Sequence, residues 1–342
     1  MKKTSLLFVG LGFLLLHTAE MKAQENIISR SELYGEPENY LQKQAVYMFE
    51  MVDEGLTANP PVIGSPVNRK LPLYLLDAMV HETKYDTNEG LFRFIESRTS
   101  KLIAELRKPA KKGLKIYKVY NEGFVAQTGT TTIAFDIVRG DGKTRKLIPD
   151  ELIKQIADQC DILFLSHNHS DHADAFVIEQ FIQAGKPVIA PVDIDPDNER
   201  ITHLRSKKRI DRSIPLKNGK KVNVKIFPGH QGDLVNNLYV VTTEDKKTIA
   251  HIGDQANEND MPMLMEIHKQ TPPIDALIIN CWTGQVAKTV EGFAPKIVFT
   301  GHENEFDHTI DHREAFWLAF EDMKRIQRDY VIMGWGEWFE FK

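Results

Sequence analysis

The stretch Ser166–Asp174, SHNHSDHAD, follows the apolar run DILFL at 161–165. It holds His167, His169, Asp171, His172 and Asp174. Such side chains are costly to bury without partners, because desolvation disfavours ionisable groups in apolar surroundings. A metal ion suits all of them. Imidazole nitrogen and carboxylate oxygen both bind Zn²⁺, and also Mn²⁺ or Fe. The run H-x-H-x-D-H therefore predicts a metal-binding loop at the end of a strand, with further ligands supplied from elsewhere in the chain.

Other apolar runs end in the same way. TTIAF leads to Asp136, VKIFPG to His230, KTIAHIG to Asp254 and KIVFTG to His302. In open α/β sheets, functional residues collect beyond the carboxyl ends of strands, so these residues are expected at one edge. His167 and His169 can clamp one ion, with His230 completing its histidine set. Asp171 and His172, offset in the same turn, can hold a second ion with His302. Asp254 can bridge the two. Such a pair of ions shares a water, lowers its pKa and polarises a carbonyl or phosphoryl oxygen. Taken singly, His230 or His302 would read as a structural histidine and Asp254 as a turn residue. The H-x-H-x-D-H run makes them ligand candidates.

Carrying these residues in this order, residues 112–342 resemble the metallo-β-lactamase-fold superfamily of metal-dependent hydrolases. The resemblance rests on Asp136, HNHSDH at 167–172, PGH ending at His230, GD ending at Asp254 and GH ending at His302. GWGEW at 334–338 is similar to the closing Gly-Glu strand of many members. The resemblance implies an α/β fold, a four-layer αββα sandwich, with a dinuclear site at one edge. It also implies that Asp136 stands behind the ligands and braces their loop. SHNHSDHAD is similar to the branch holding the ascorbate-6-phosphate lactonase and the phospholipase D that hydrolyses N-acyl-phosphatidylethanolamine. Many relatives in that branch carry a Gly-His pair where this chain has YNEGFV at 120–125; the histidine is absent here. Asp254 at the bridging position is similar to the phosphodiesterase, thioesterase and lactonase branches and unlike the zinc β-lactamases.

The expected activity is hydrolysis of an ester, lactone or phosphodiester with two divalent metal ions, zinc first among them. Asp171 is expected to hold a metal and orient the attacking water. In GHENEFDHTIDH at 301–312, Glu303, Glu305, His308 and His312 crowd around His302. His308 is the candidate general acid, since histidine titrates near neutral pH. The plainer alternative is that these residues cap the helix expected to follow. His81, His203, His251 and His268 read as non-ligands, and LRSKKR at 204–209 as a solvated charged face.

The 342 residues, 42% hydrophobic and 27% charged, fit an ordinary globular protein. Lys2 and Lys3, the apolar LLFVGLGFLLL and a cleavage region near Ala23 read as a signal peptide over 1–23. The apolar run is short for a membrane span. The expected location is therefore periplasmic or secreted. Cleavage would remove Lys2, Lys3, Lys22 and Glu20 and take the formal charge from −5 to −7. That disfavours nucleic acid as a partner and leaves a small-molecule or lipid-like substrate. Residues 24–110 read as a helical extension, with Leu91, Phe94, Ile95, Leu102 and Leu106 on one helical face. Residues 111–342 read as the hydrolase domain, with short Val-, Ile- and Phe-rich strands. Cys160 precedes one strand and Cys281 follows another. If those strands run parallel, the thiols are separated by about 16 Å of strand, beyond disulfide reach. The rival readings are a non-catalytic metal-binding protein on the same fold, a β-lactamase and a nuclease.

Overall fold

The computed structural model describes residues 30, 34–82, 88–110, 113–142, 144–205 and 207–342. The expected signal peptide lies outside the described residues. The chain forms two compact units, Met1–Leu41 and Gln42–Lys342. In the first, Tyr34, Tyr40 and Leu41 are exposed. Its described end opens helix α1 (Pro37–Ala58). Among the described residues, no helix is long and apolar enough to cross a membrane.

The second unit takes in the remainder of α1, then α2 (Val67–Val80) and α3 (Glu89–Leu106). Ala45, Phe49, Val52 and Leu56 of α1 are buried, a spacing of three and four that places them on one face. α3 starts where the Asn88 side chain accepts the Gly90 N–H at 2.6 Å. It buries Leu91, Phe94, Ile95, Leu102 and Leu106, the stripe read from the sequence.

The chain then builds β1 (Leu114–Tyr120), β2 (Gly123–Gln127), β3 (Thr132–Phe135), α4 (Asp150–Gln159), β4 (Ile162–Phe164), α5 (Ala175–Gln183), β5 (Val188–Ala190) and β6 (Thr202–His203). Next come β7 (Ile210–Pro215), β8 (Lys221–Gln231), β9 (Leu234–Thr242), β10 (Thr248–His251), α6 (Met261–Leu264) and α7 (Ile267–Gln270). The last elements are β11 (Ala276–Asn280), α8 (Val286–Phe293), β12 (Ile297–Gly301), α9 (Phe316–Met323), β13 (Asp329–Val331) and β14 (Glu337–Phe341). The strands form two seven-stranded sheets, ordered β14-β1-β2-β3-β4-β5-β6 and β13-β12-β11-β10-β9-β8-β7. Each sheet is part antiparallel and part parallel. β3 to β6 are parallel in the first, and β10 to β13 in the second.

Alternation of side chains explains the layers. Phe124, Ala126, Phe135, Phe164, Ile249, Ile278 and Phe299 share one core between the sheets. Their neighbours Val125, Ala134, Leu163, Ala250, Leu277 and Val298 belong to the other core, with the helices. Strands buried on both faces must be apolar throughout, which is why they read as continuous runs. α3 packs on β1 and β14, and α5 on β4 and β5. The β11-α8-β12 and β12-α9-β13 links join parallel neighbours, which sets those helices on a face of the second sheet. The result is a four-layer αββα sandwich.

Two stretches differ from their sequence reading. TIDHREAFWLAFEDMKRIQ reads as one helix but forms a short 3₁₀ turn at Ile310–His312 and then α9. The Asp77 carboxylate from α2 accepts the Phe316 and Trp317 N–H groups at 2.8 and 3.1 Å, so the helix start is capped from outside. YVIMGWGEWFEF is split between β13 and β14, which lie in different sheets. Gly336, at φ +72°, allows the turn between them. Cys160 and Cys281 are both free and buried. Cys160 caps α4 ahead of β4, and Cys281 follows the carboxyl end of β11.

Candidate metal centre

β3, β4, β10 and β12 run toward Asp136, His167, Asp254 and His302 respectively, and these residues meet. Two groups of side chains bring candidate ligand atoms within 4.8 Å of one another: Asp171, His172, Asp254 and His302 in one, and His167, His169 and Asp254 in the other. Asp254 is shared. Its Oδ2 lies 3.6 Å from His167 Nε2, 3.3 Å from His172 Nε2 and 3.4 Å from His302 Nε2. Oδ2 of Asp171 lies 3.4 Å from His172 Nε2 and 3.2 Å from His302 Nε2. His167 Nε2 and His169 Nδ1 are 3.0 Å apart.

These spacings test the fit of a metal. Four ligands bound tetrahedrally at about 2.0–2.1 Å lie about 3.3 Å from one another. The pairs here cluster around that value. The Nε2 atoms of His172 and His302 are also buried without hydrogen-bond partners. Unpaired buried nitrogens beside carboxylates are expensive unless something satisfies both. A divalent cation does so, and the residues fit it.

The sequence builds the site locally. Asp136 sits in the left-handed region at φ +44°, just beyond β3. Its Oδ1 accepts the Ser166 N–H at 2.7 Å. Its Oδ2 accepts the Ser166 hydroxyl at 2.5 Å and His172 Nδ1–H at 2.8 Å. With Nδ1 donating, His172 must present Nε2 to the cluster. Asn121 holds Asp171 from the β1–β2 turn, donating to its Oδ2 at 3.2 Å. Asn280 donates to Asp254 Oδ1 at 3.3 Å. Gly253, at φ +50°, lets β10 come against the histidine loop; a Cβ there would lie 2.4 Å from that of Ser166. Glycine is needed for this approach on both counts.

Burial and charge set the protonation states. Burial and then the charge on His172 push His167 down to about 3, so it is neutral and ready to bind. For His172 and His302, burial opposes the charged form, but Asp254 and Asp171 outweigh it and raise both above the ordinary histidine value. An incoming cation must therefore displace protons from these imidazoles. Metal uptake should release protons near neutral pH, and apparent affinity should fall as pH falls through that range. Calorimetric titration in buffers of different ionisation enthalpy measures this. Uptake without proton release would show that both imidazoles are already neutral.

The structure brings together His167, His169, Asp171, His172, Asp254 and His302, with Asp136 behind them. His230 stands outside both groups. Its Nδ1 faces Asp260 at 3.0 Å and its Nε2 faces Arg205 Nη2 at 3.2 Å. Arg205, in the stretch read as a solvated charged face, is half-buried against it. His308 is half-buried at the rim, with its ring stacked 5.3 Å from that of His302. Trp282 meets His302 edge-on at 5.4 Å. Glu303 turns away into a buried ion pair with Lys118. His312 is exposed beside Asp311. His81, His203, His251 and His268 belong to neither group.

Some neighbours of the site give no motif. Glu122 is fully buried beside His251, 3.6 Å from its Nε2, with both carboxyl oxygens unpaired. Burial and then the Asp254 charge push its pKa well up. Burial and then Asp171 push Glu305 up to about 8. Gln231 donates its amide N–H to Asp254 Oδ2 at 3.1 Å. Nothing in the YNEGFV stretch marks Glu122 as a neighbour of the site.

No family model matches the chain, and no curated protein matches it. Solved structures do. One is Igni18, a metallo hydrolase from the archaeon Ignicoccus hospitalis, at 16% identity over 68% of this chain and 100% of that one, TM-score 0.49. Another is CmlA, a diiron β-hydroxylase from Streptomyces venezuelae, at 14% identity over 68% of this chain and 55% of that one, TM-score 0.48. A third is a candidate zinc-dependent hydrolase of the metallo-β-lactamase superfamily from Thermotoga maritima, at 13% identity over 63% of this chain and 86% of that one, TM-score 0.35. The structures similar to this chain thus include metal-dependent hydrolases and a diiron enzyme.

Proposed function

We propose that this protein is an exported, periplasmic or secreted, metal-dependent hydrolase. It uses two divalent ions, zinc first among them, on an ester, lactone or phosphodiester in a small or lipid-like substrate. One observation carries the reading: Asp254 Oδ2 stands within 3.6 Å of imidazole nitrogens from both ligand groups. A single carboxylate oxygen at that meeting point suits a bridge. Two bound ions supply a water of lowered pKa and a Lewis acid for the carbonyl or phosphoryl oxygen. In this reading Asp171, which accepts from Asn121 and faces His172 and His302, orients the water. His169 is exposed and marks the open side, while Trp282 screens His302.

The test is the purified chain on chromogenic esters and phosphodiesters, with and without chelator, beside elemental analysis. Two ions per chain and chelator-sensitive hydrolysis are expected. Failure to take up metal on reconstitution, or turnover that survives chelation, sinks the reading. Two ions without turnover on any ester, lactone or phosphodiester would make it a metal-binding protein instead.

His308 is the proposed general acid. Its Nδ1 lies 3.3 Å from the His312 carbonyl, which can only accept, so Nδ1 carries the proton. Nε2 is then the free nitrogen. Burial and then the His302 charge lower the His308 pKa, so it must pick up a proton before it can give one. His308→Ala should slow substrates with alkoxide leaving groups by roughly 100-fold and spare those that release nitrophenolate. Metal content should stay unchanged. Equal losses of kcat/KM on both substrate types would remove His308 from proton transfer.

A further inference from the structure

We infer that Gln231, not His230, completes the His167–His169–Asp254 group, through its side-chain carbonyl oxygen. The inference rests on the dinuclear reading above and asks which residue of β8 serves it.

His230 has both ring nitrogens engaged. An arginine only donates, so the Arg205 guanidinium at 3.2 Å must donate to His230 Nε2. That engages the Nε2 lone pair. Nδ1 must then carry the ring proton, and Asp260 accepts it at 3.0 Å. Neither nitrogen retains a lone pair for a cation. The backbone is pinned as well. The His230 N–H donates to Gln255 Oε1 at 3.0 Å, and the His230 carbonyl accepts from Ala256 at 3.0 Å and Asn257 at 3.2 Å. Gln255 in turn donates to Asp260 at 3.0 Å. His230 is thus a fastening between the end of β8 and the loop after Asp254.

Gln231 is the next residue in the strand, so its side chain leaves by the opposite face. That face carries it to the cluster. Its Nε2 donates to Asp254 Oδ2, the same oxygen that faces His167, His172 and His302. With Nε2 so engaged, Oε1 is left buried and without a partner. An unpaired buried amide oxygen, on a side chain held against the shared carboxylate, is a ligand in waiting.

The two metal positions are then unequal. One has two imidazoles and two carboxylates, from His172, His302, Asp171 and Asp254. The other has two imidazoles, a shared carboxylate and a neutral amide oxygen. Amide oxygen is a harder and weaker donor than imidazole toward zinc. One ion should bind tightly and the other more weakly.

The experiment is zinc titration of the apo full-length chain against a chromophoric chelator, with cobalt(II) absorption as a second readout. The wild-type chain should show one tight and one weaker site. Gln231→His should tighten the weaker site by roughly 10–100-fold and shift the cobalt spectrum. Gln231→Leu should weaken it by a similar factor. His230→Ala removes the Asp260 contact but keeps the backbone bonds to Gln255, Ala256 and Asn257, so it should weaken the second site far less than Gln231→Leu does. Because Gln231→His is a gain, loss of folding cannot mimic it. Loss of the weaker ion in His230→Ala, with Gln231→His indistinguishable from wild type, would overturn the inference and leave the dinuclear reading standing. A wild-type chain that takes up no zinc would overturn both.

Discussion

Asp254→Ala should retain at most one weakly bound ion and lose hydrolysis by at least about 1,000-fold, about 4 kcal/mol of transition-state stabilisation. The size follows from position. Other single ligand substitutions leave one group of ligands whole. Asp254 serves both, and its removal also frees Gln231 and Asn280 from the hydrogen bonds that aim them. Three imidazoles would then face one another with one carboxylate fewer to offset their charge. The metal-to-protein ratio and kcat/KM together check this. Two tightly held ions with less than a tenfold loss of activity would mean that Asp254 does not bridge.

Glu337→Ala should destabilise the fold by about 3–5 kcal/mol, as expected when one member of a buried ionic network is removed. Glu337 is 2% exposed. From the start of β14 it pairs with Arg69 of α2 and, at 3.1 Å, with Arg98 of α3. It also accepts the Gly334 N–H at 2.7 Å. Arg69 is itself 2% exposed and would keep only carbonyl partners, Asn59 at 2.9 Å and Ile332 at 3.3 Å. Arg98 would keep Asp53 at 3.1 Å. The denaturation midpoint measures the change. A loss under about 1 kcal/mol would show that solvent screens the network as it screens surface pairs. β13 runs parallel to β12, so the network lies on the same edge as His302, and Glu337 faces Lys118, the partner of Glu303. The metal content of the folded fraction is therefore measured beside the midpoint.

The parts of the molecule that were legible in the sequence are those where the signal is local. ALIIN and LKIYKVY read as strands with their observed bounds, because β-branched and aromatic residues between polar breaks have few alternatives. His167, His169, Asp171 and His172 share one loop, so their spacing alone announced a cluster. Asp254 and His302 were reachable because they follow apolar strands. His230 and Gln231 show where this ends. Adjacent strand residues point to opposite faces, and a histidine in PGH gives no sign of which face meets the site. Glu122 was invisible for a related reason. Its burial depends on His251 and Gly301 of the other sheet, contacts that no local pattern encodes. The Glu337 network joins residues far apart in sequence, and only the tertiary fold brings its charges together. α4 escaped notice because its polar residues outnumber the buried Ile153, Ile156 and Ala157.

The ligands are divided between the sheets. His167, His169, Asp171 and His172 follow a strand of the first sheet, while Asp254 and His302 follow strands of the second. Neither half can hold an ion with its full complement until the sandwich has closed. On the proposed reading metal capture would be a late event in the life of the chain, since a partly folded molecule has the two sets of candidate ligands apart. An ion held by these residues would tie the two sheets together at their common edge and stabilise the closed form in proportion to the logarithm of its free concentration. The durability of such a protein would in that sense be a property of its surroundings: in metal-poor medium the same chain would be a looser object.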